Sequence, residues 1–151
     1  MPQSLSKIYL HIVFHIKTTS PKIHESDLGR VQSYIGGLIK AEGCRPIVVG
    51  GIDDHVHVLC LLSTSETISK LVEEMKRNSS RWIKSIDAWY RDFEWQGGYG
   101  VFSVSQSVVD KTKLYIENQQ EHHRHTTFEE EYLSFLKLYG IEYDERYVFS
   151  D

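Results

Sequence analysis

The chain has 151 residues, 40% apolar and 25% charged, with three prolines and a formal net charge of −4. That length supports one sizeable core, so residues 1–151 are expected to form a single domain, with a core over about residues 7–126 and a C-terminal helix and acidic tail over 127–151. No window is apolar and long enough for a membrane helix, the N-terminus lacks a signal peptide's layout, and the acidic balance argues against general coating of DNA.

The charge is unevenly spread. From Phe128 onward seven acids stand against two bases, whereas Lys70 to Arg91 holds six bases and three acids. A confined nucleic-acid groove therefore stays open as a function. Cys44 and Cys60 fit no ligand or disulfide framework, so a reducing, cytoplasmic location is expected.

Along the chain, Lys7 to Lys17 alternates: Ile8, Leu10, Ile12, Phe14 and Ile16 share one face, and Tyr9, His11, Val13, His15 and Lys17 the other. This predicts a strand with one core face and one polar face. Leu28, Val31, Ile35, Leu38 and Ile39 recur at helical steps, predicting an amphipathic helix from about Glu25 to Glu42 that Gly43 stops. Ile47-Val48-Val49 reads as a short strand, joined through a turn at Gly50-Gly51-Ile52-Asp53-Asp54 to a third strand, His55 to Leu62.

A second helix is expected from near Glu66, capped by Thr64 or Ser65, with Ile68, Leu71, Val72, Met75, Ser79, Trp82, Ile83 and Ile86 on its buried stripe. Lys76, Arg77, Arg81 and Lys84 form its basic edge, either a solvated face or a set of phosphate contacts. The stretch Asp87 to Gly100 is rich in glycine and aromatics, and Trp95 and Tyr99 are candidates for stacking on bases. Val101 to Val104 reads as a fourth strand. A third helix follows from Ser107 through Tyr115 and Gln119 to His122 and His123, and a last one from Phe128 to Tyr139. The order βαββαβ matches the ferredoxin-like plan: an α+β fold whose antiparallel sheet carries two helices on one face. The other face is left free for a site, and the Tyr115 helix can lie against it.

Strand side chains alternate, so His55 and His57 point the same way and offer two nitrogen ligands for a metal. Gln119 offers an amide oxygen as a third, with His122 and His123 as rivals. Tyr115, one helical turn from Gln119, offers an oxygen nucleophile. A phenol with an ordinary pKa of ~10 attacks poorly unless a cation polarises the electrophile and holds it in line. Phosphodiesters suit such a pair. Spacing alone reaches no further than metal-assisted phosphoryl transfer, with a noncatalytic single-stranded nucleic-acid-binding module of ferredoxin-like fold as the alternative.

Several segments together resemble the HUH single-tyrosine transposases, those of the insertion sequence 200/605 type and their repeat-associated relatives. They are Asp53-Asp54-His55-Val56-His57, Tyr115-Ile116-Glu117-Asn118-Gln119, Trp95-Gln96-Gly97-Gly98-Tyr99-Gly100 with Phe102-Ser103-Val104-Ser105, and His11-Ile12-Val13-Phe14. The resemblance implies DNA transposition by a metal-dependent enzyme that cleaves and rejoins single-stranded DNA through a 5′-phosphotyrosine on Tyr115. His55, His57 and Gln119 would hold Mg²⁺ or Mn²⁺. It also implies a hairpin-bearing DNA substrate and a homodimer whose Tyr115 helix serves its own site or its partner's. The acidic C-terminal segment departs from the basic surface expected of a DNA enzyme.

Overall fold

In the computed structural model, which describes residues 2–151, strands Tyr9–His15 (β1), Arg45–Ile52 (β2), His55–Leu61 (β3) and Gly100–Val104 (β4) form an antiparallel sheet. The order is β2-β3-β1-β4, so the histidine strand lies mid-sheet as the ferredoxin-like plan requires. Helices Glu25–Ala41 (α1) and Ile68–Ile86 (α2) cover one sheet face. Leu10, Ile12 and Phe14 of β1 and Val56, Val58 and Cys60 of β3 meet Val31, Ile35 and Ile39 of α1 and Leu71, Val72, Met75 and Ile83 of α2 there. Tyr34 stacks on Trp82 at 4.3 Å and ties the two helices side by side.

The other face is not free. Helix Val109–Glu117 (α3) packs Val109 and Ile116 against Leu59, Tyr9 and Val104. Helix Phe128–Leu138 (α5) packs Phe128, Tyr132 and Leu136 against Val13 and Phe102. Tyr9, His11 and Val13, expected on a polar face, are therefore buried. Strand alternation tells which residues share a face, not what a later helix lays over it.

Local details differ from the sequence reading for identifiable reasons. The β2–β3 turn shrinks to Asp53 and Asp54, because Gly50, Gly51 and Ile52 remain in the ladder. Gly51 has φ +132°, a backbone conformation that side-chain-bearing residues avoid. Gly50 lets α3 approach: a Cβ there would sit 2.5 Å from the Ile116 carbonyl oxygen. Thr67, rather than Thr64 or Ser65, caps α2, its side chain accepting from the Lys70 amide at 3.2 Å. The third helix is broken at Asn118 (ψ +23°), so Gln119 opens a separate turn, Gln119–His122 (α4). Beyond Gly140 the tail packs back as an arm. The Ser150 carbonyl accepts from Gln96 Nε2 at 2.6 Å, and the Asp151 carboxylate accepts from the Thr18 amide at 2.9 Å.

Candidate active site

β3 begins at the tight Asp53-Asp54 turn, which fixes His55 and His57 on the face between α3 and α5; both are 0% exposed. Each imidazole is oriented by a second group. His55 Nδ1 donates to Asp54 Oδ1 at 2.8 Å, so in the neutral ring Nε2 carries the lone pair. His123, just past α4, donates Nδ1–H to the Thr126 carbonyl at 2.7 Å and likewise presents a bare Nε2. Both nitrogens face Gln119 Oε1, at 2.9 and 3.0 Å.

Two ring nitrogens thus converge on one amide oxygen, and with both rings neutral a cation satisfies all three atoms. His57 Nε2 lies beside the same point, 2.8 Å from Glu131 Oε1, and its Nδ1 is 2.7 Å from His11 Nε2. Ligand atoms of His55, His57, His123 and Glu131 all lie within 4.8 Å of one another. Nitrogen and oxygen donors of this kind, backed by a carboxylate on His55 and an imidazole on His57, fit a divalent metal.

Tyr115 of α3 sits against the same cluster, in the same chain. Its ring centroid is 5.9 Å from that of His57, its hydroxyl donates to Glu131 Oε2, and His122 Nε2 is 3.4 Å away. Gln119 Nε2 donates to the same carboxylate oxygen at 3.1 Å. Burial, with the hydrogen bond to Glu131 and its negative charge, pushes the phenol well above its ordinary pKa, so Tyr115 is a neutral donor here. Burial would raise Glu131, yet the His57 hydrogen bond and charge, and the Tyr115 hydroxyl, outweigh it and hold the carboxyl well below its usual range. Burial lowers His57 to about 4 against the pull of Glu131, and it is also the largest cause bringing His11 down to about 3, with His57 adding to it. A cavity of about 520 Å³ between α3 and α5 reaches this cluster, with His11, Lys111, Tyr115, His122, Glu131 and Phe135 in its wall.

A model of the family described as "Transposase IS200 like" matches residues 4–119, which include β3, Tyr115 and Gln119. The chain belongs to the IS200-like transposase family. Two solved structures share the fold of this transposase. One, from Deinococcus radiodurans R1 and provisionally described as a transposase, is 20% identical, with a TM-score of 0.61 over 79% of this chain and 98% of that one. The other is a REP-associated tyrosine transposase bound to a REP hairpin, 10% identical, with a TM-score of 0.60 over 82% of this chain and 73% of that one. No curated protein matches the sequence significantly. Among the described residues, no helix of the transposase is long and apolar enough to cross a membrane.

The sequence-predicted residues His55, His57, Gln119 and Tyr115 come together; those proposed for nucleic acid do not. Trp95 is 7% exposed, with Nε1 donating to Ser79 Oγ at 3.0 Å, so its ring is core rather than a stacking platform. Lys76 donates to the Gln96 and Gly98 carbonyls at 2.5 and 2.9 Å, and burial lowers it to about 8. It anchors the glycine-rich loop. Arg77 pairs with Glu73 and Glu74 on its own helix. Arg81, Lys84 and Tyr99 are exposed, away from the imidazole cluster.

Glu131 escaped the sequence reading, which counted it only as one of the seven acids from Phe128 onward. The available signal was periodicity: Phe128, Tyr132, Phe135 and Leu136 trace a helical stripe, and Glu131 lies on it while Glu129 and Glu130 do not. Asp54 and His11, which hold His55 and His57, also went unassigned.

Proposed function

We propose that this transposase cuts and rejoins single-stranded DNA with Tyr115 as its nucleophile, assisted by a divalent metal held by His55, His57 and Gln119 together with His123 and Glu131. One observation carries the reading: a tyrosine hydroxyl and a cluster of metal-ligating side chains meet on the two oxygens of one buried carboxylate. A divalent cation, when bound, supplies Lewis-acid charge to offset the charge developing on phosphate. With three imidazoles among the donors, the site suits Mn²⁺ or a later divalent ion better than Mg²⁺.

The chain's own groups do the rest. The cavity beside Tyr115 admits the strand and brings the scissile phosphate to the phenol. Attack forms the Tyr115 O–P bond and breaks the bond from phosphorus to the 3′ oxygen, on which the phenolic proton ends. The ester conserves the bond energy, so a later 3′-hydroxyl can reverse the step, giving strand transfer in place of hydrolysis.

The hairpin bound by the REP-associated relative supports a structured single strand as the substrate class. Arg81 and Lys84, exposed on α2, supply phosphate contacts outside the cluster, with Tyr99 as an accessible ring. The whole chain, core and C-terminal arm together, works as one transposase domain, and a homodimer belongs to the same proposal.

The test is incubation with hairpin-bearing single-stranded DNA and Mn²⁺, followed by denaturing electrophoresis. The wild type forms a covalent protein–DNA adduct and Tyr115→Phe forms none. An adduct that survives Tyr115→Phe refutes the assignment. Tight binding with no adduct and no metal dependence points instead to a noncatalytic single-strand binding module, which the full burial of both strand histidines would suit.

A further inference from the structure

Glu131 lies outside the residues that match the family model, on a helix that follows them. We propose that it is a positioning residue for Tyr115: its carboxylate holds the phenol oxygen in place for attack and ties that place to the metal-ligand strand. The proposal rests on the reading of Tyr115 as nucleophile.

The two carboxylate oxygens have different surroundings. Oε1 faces the ligand cluster, 2.8 Å from His57 Nε2 and 3.3 Å from His123 Nε2. Oε2 accepts from the Tyr115 hydroxyl and from Gln119 Nε2 at 3.1 Å, with His122 Nε2 at 3.2 Å. Rotating the side chain would break contacts on both sides at once. The position of β3 is therefore transmitted through one rigid group to the reactive oxygen on α3.

The helix carrying Glu131 is itself fixed. Thr127 and Glu130 form a reciprocal capping box at its start, and Phe128, Tyr132 and Leu136 are buried beneath it. Phe135, one turn beyond Glu131, meets the Tyr115 ring edge-on at 5.9 Å, so α5 supplies both an acceptor for the hydroxyl and a wall for the ring. Packing alone does not call for an acid here. A carboxylate on a buried stripe is costly unless its partners repay it, and an apolar residue of similar size would fill the space more cheaply. The partners it has are the groups on which the proposed chemistry depends.

The experiment compares Glu131→Ala, which removes the acceptor, with Glu131→Asp, which withdraws it by one methylene, and Glu131→Gln, which keeps size and an acceptor oxygen. Single-turnover adduct formation on hairpin single-stranded DNA at saturating Mn²⁺ should fall ~10- to 100-fold in the Ala and Asp variants and less in Gln, with DNA affinity unchanged. In protein free of metal and DNA, labelled with ¹³Cζ-tyrosine, the resonance that Tyr115→Phe removes should move in all three variants. If Glu131→Ala does not fold, both readouts are taken on Gln and Asp. An unchanged or faster rate in Ala or Asp means that the carboxylate is idle or blocks the site, and overturns the proposal; so does an unmoved resonance. An adduct that survives Tyr115→Phe overturns the nucleophile assignment itself, a failure separate from these.

Discussion

Gly50→Ala tests whether the close approach of α3 to the sheet sets the position of Tyr115. The new methyl group would stand 2.5 Å from the Ile116 carbonyl oxygen and 2.7 Å from Ile116 Cγ2, where ordinary contact begins at 3.4 Å. The nearest obstacle is helix backbone, so α3 as a whole must retreat by ~1 Å, and Tyr115 adjoins Ile116 on that helix. Overpacking of this kind costs about 1–3 kcal/mol. A displacement of ~1 Å in a reacting group costs on the order of 10²-fold in rate. Urea unfolding reads the first and single-turnover adduct formation the second. Gly36→Ala on α1 is the control: nothing lies within 4 Å of its Cβ, so it should be neutral or stabilising by up to ~1 kcal/mol. Should Gly50→Ala keep both the unfolding midpoint and the rate, this helix contact does not place Tyr115.

Asp54→Ala removes the acceptor that orients His55 and should weaken Mn²⁺ binding by ~10- to 100-fold in calorimetry, with the fold retained. Lys76→Ala and Arg81→Glu should separate structural from ligand-facing charge. The first loses two hydrogen bonds to the glycine-rich loop and about 2–3 kcal/mol of stability. The second should leave the melting curve unchanged while weakening single-strand binding and flattening its salt dependence. Metal-free stability should fall as the medium is acidified. Folded His57 resists protonation down to about 4 against 6.5 when unfolded, so the unfolded chain binds more protons between those values. Its contribution is complete above pH 6.5 and declines toward pH 4, by up to ~1.4 kcal/mol per pH unit. Glu131, also held low, extends the decline below 4.5. A urea midpoint that stays flat from neutrality to pH 4 would contradict the neutral state of His57.

Much of this arrangement was written in local patterns. The period-two alternation of β1 and β3 and the helical spacing of α1 and α2 define the sheet and its first layer, and the His-x-His spacing on a strand puts both imidazoles on one side. What local pattern does not carry is long-range coverage. Nothing in residues 7–17 announces that α5, more than a hundred residues later, will bury His11 and Val13. The same gap concealed Glu131, which looks like one of three consecutive acids until the helix is rotated into place. Lys76 and Trp95 misled for the opposite reason: residue types common at nucleic-acid surfaces serve here to pin a loop and fill a core.

The phenol and the imidazoles belong to one polypeptide, with Tyr115 resting on its own His57. On the proposed reading, a single molecule holds both the nucleophile and the metal ligands. Rate per subunit should not change on dilution, and a mixture of Tyr115→Phe and His57→Ala chains should not complement, because neither lends the other what it lacks.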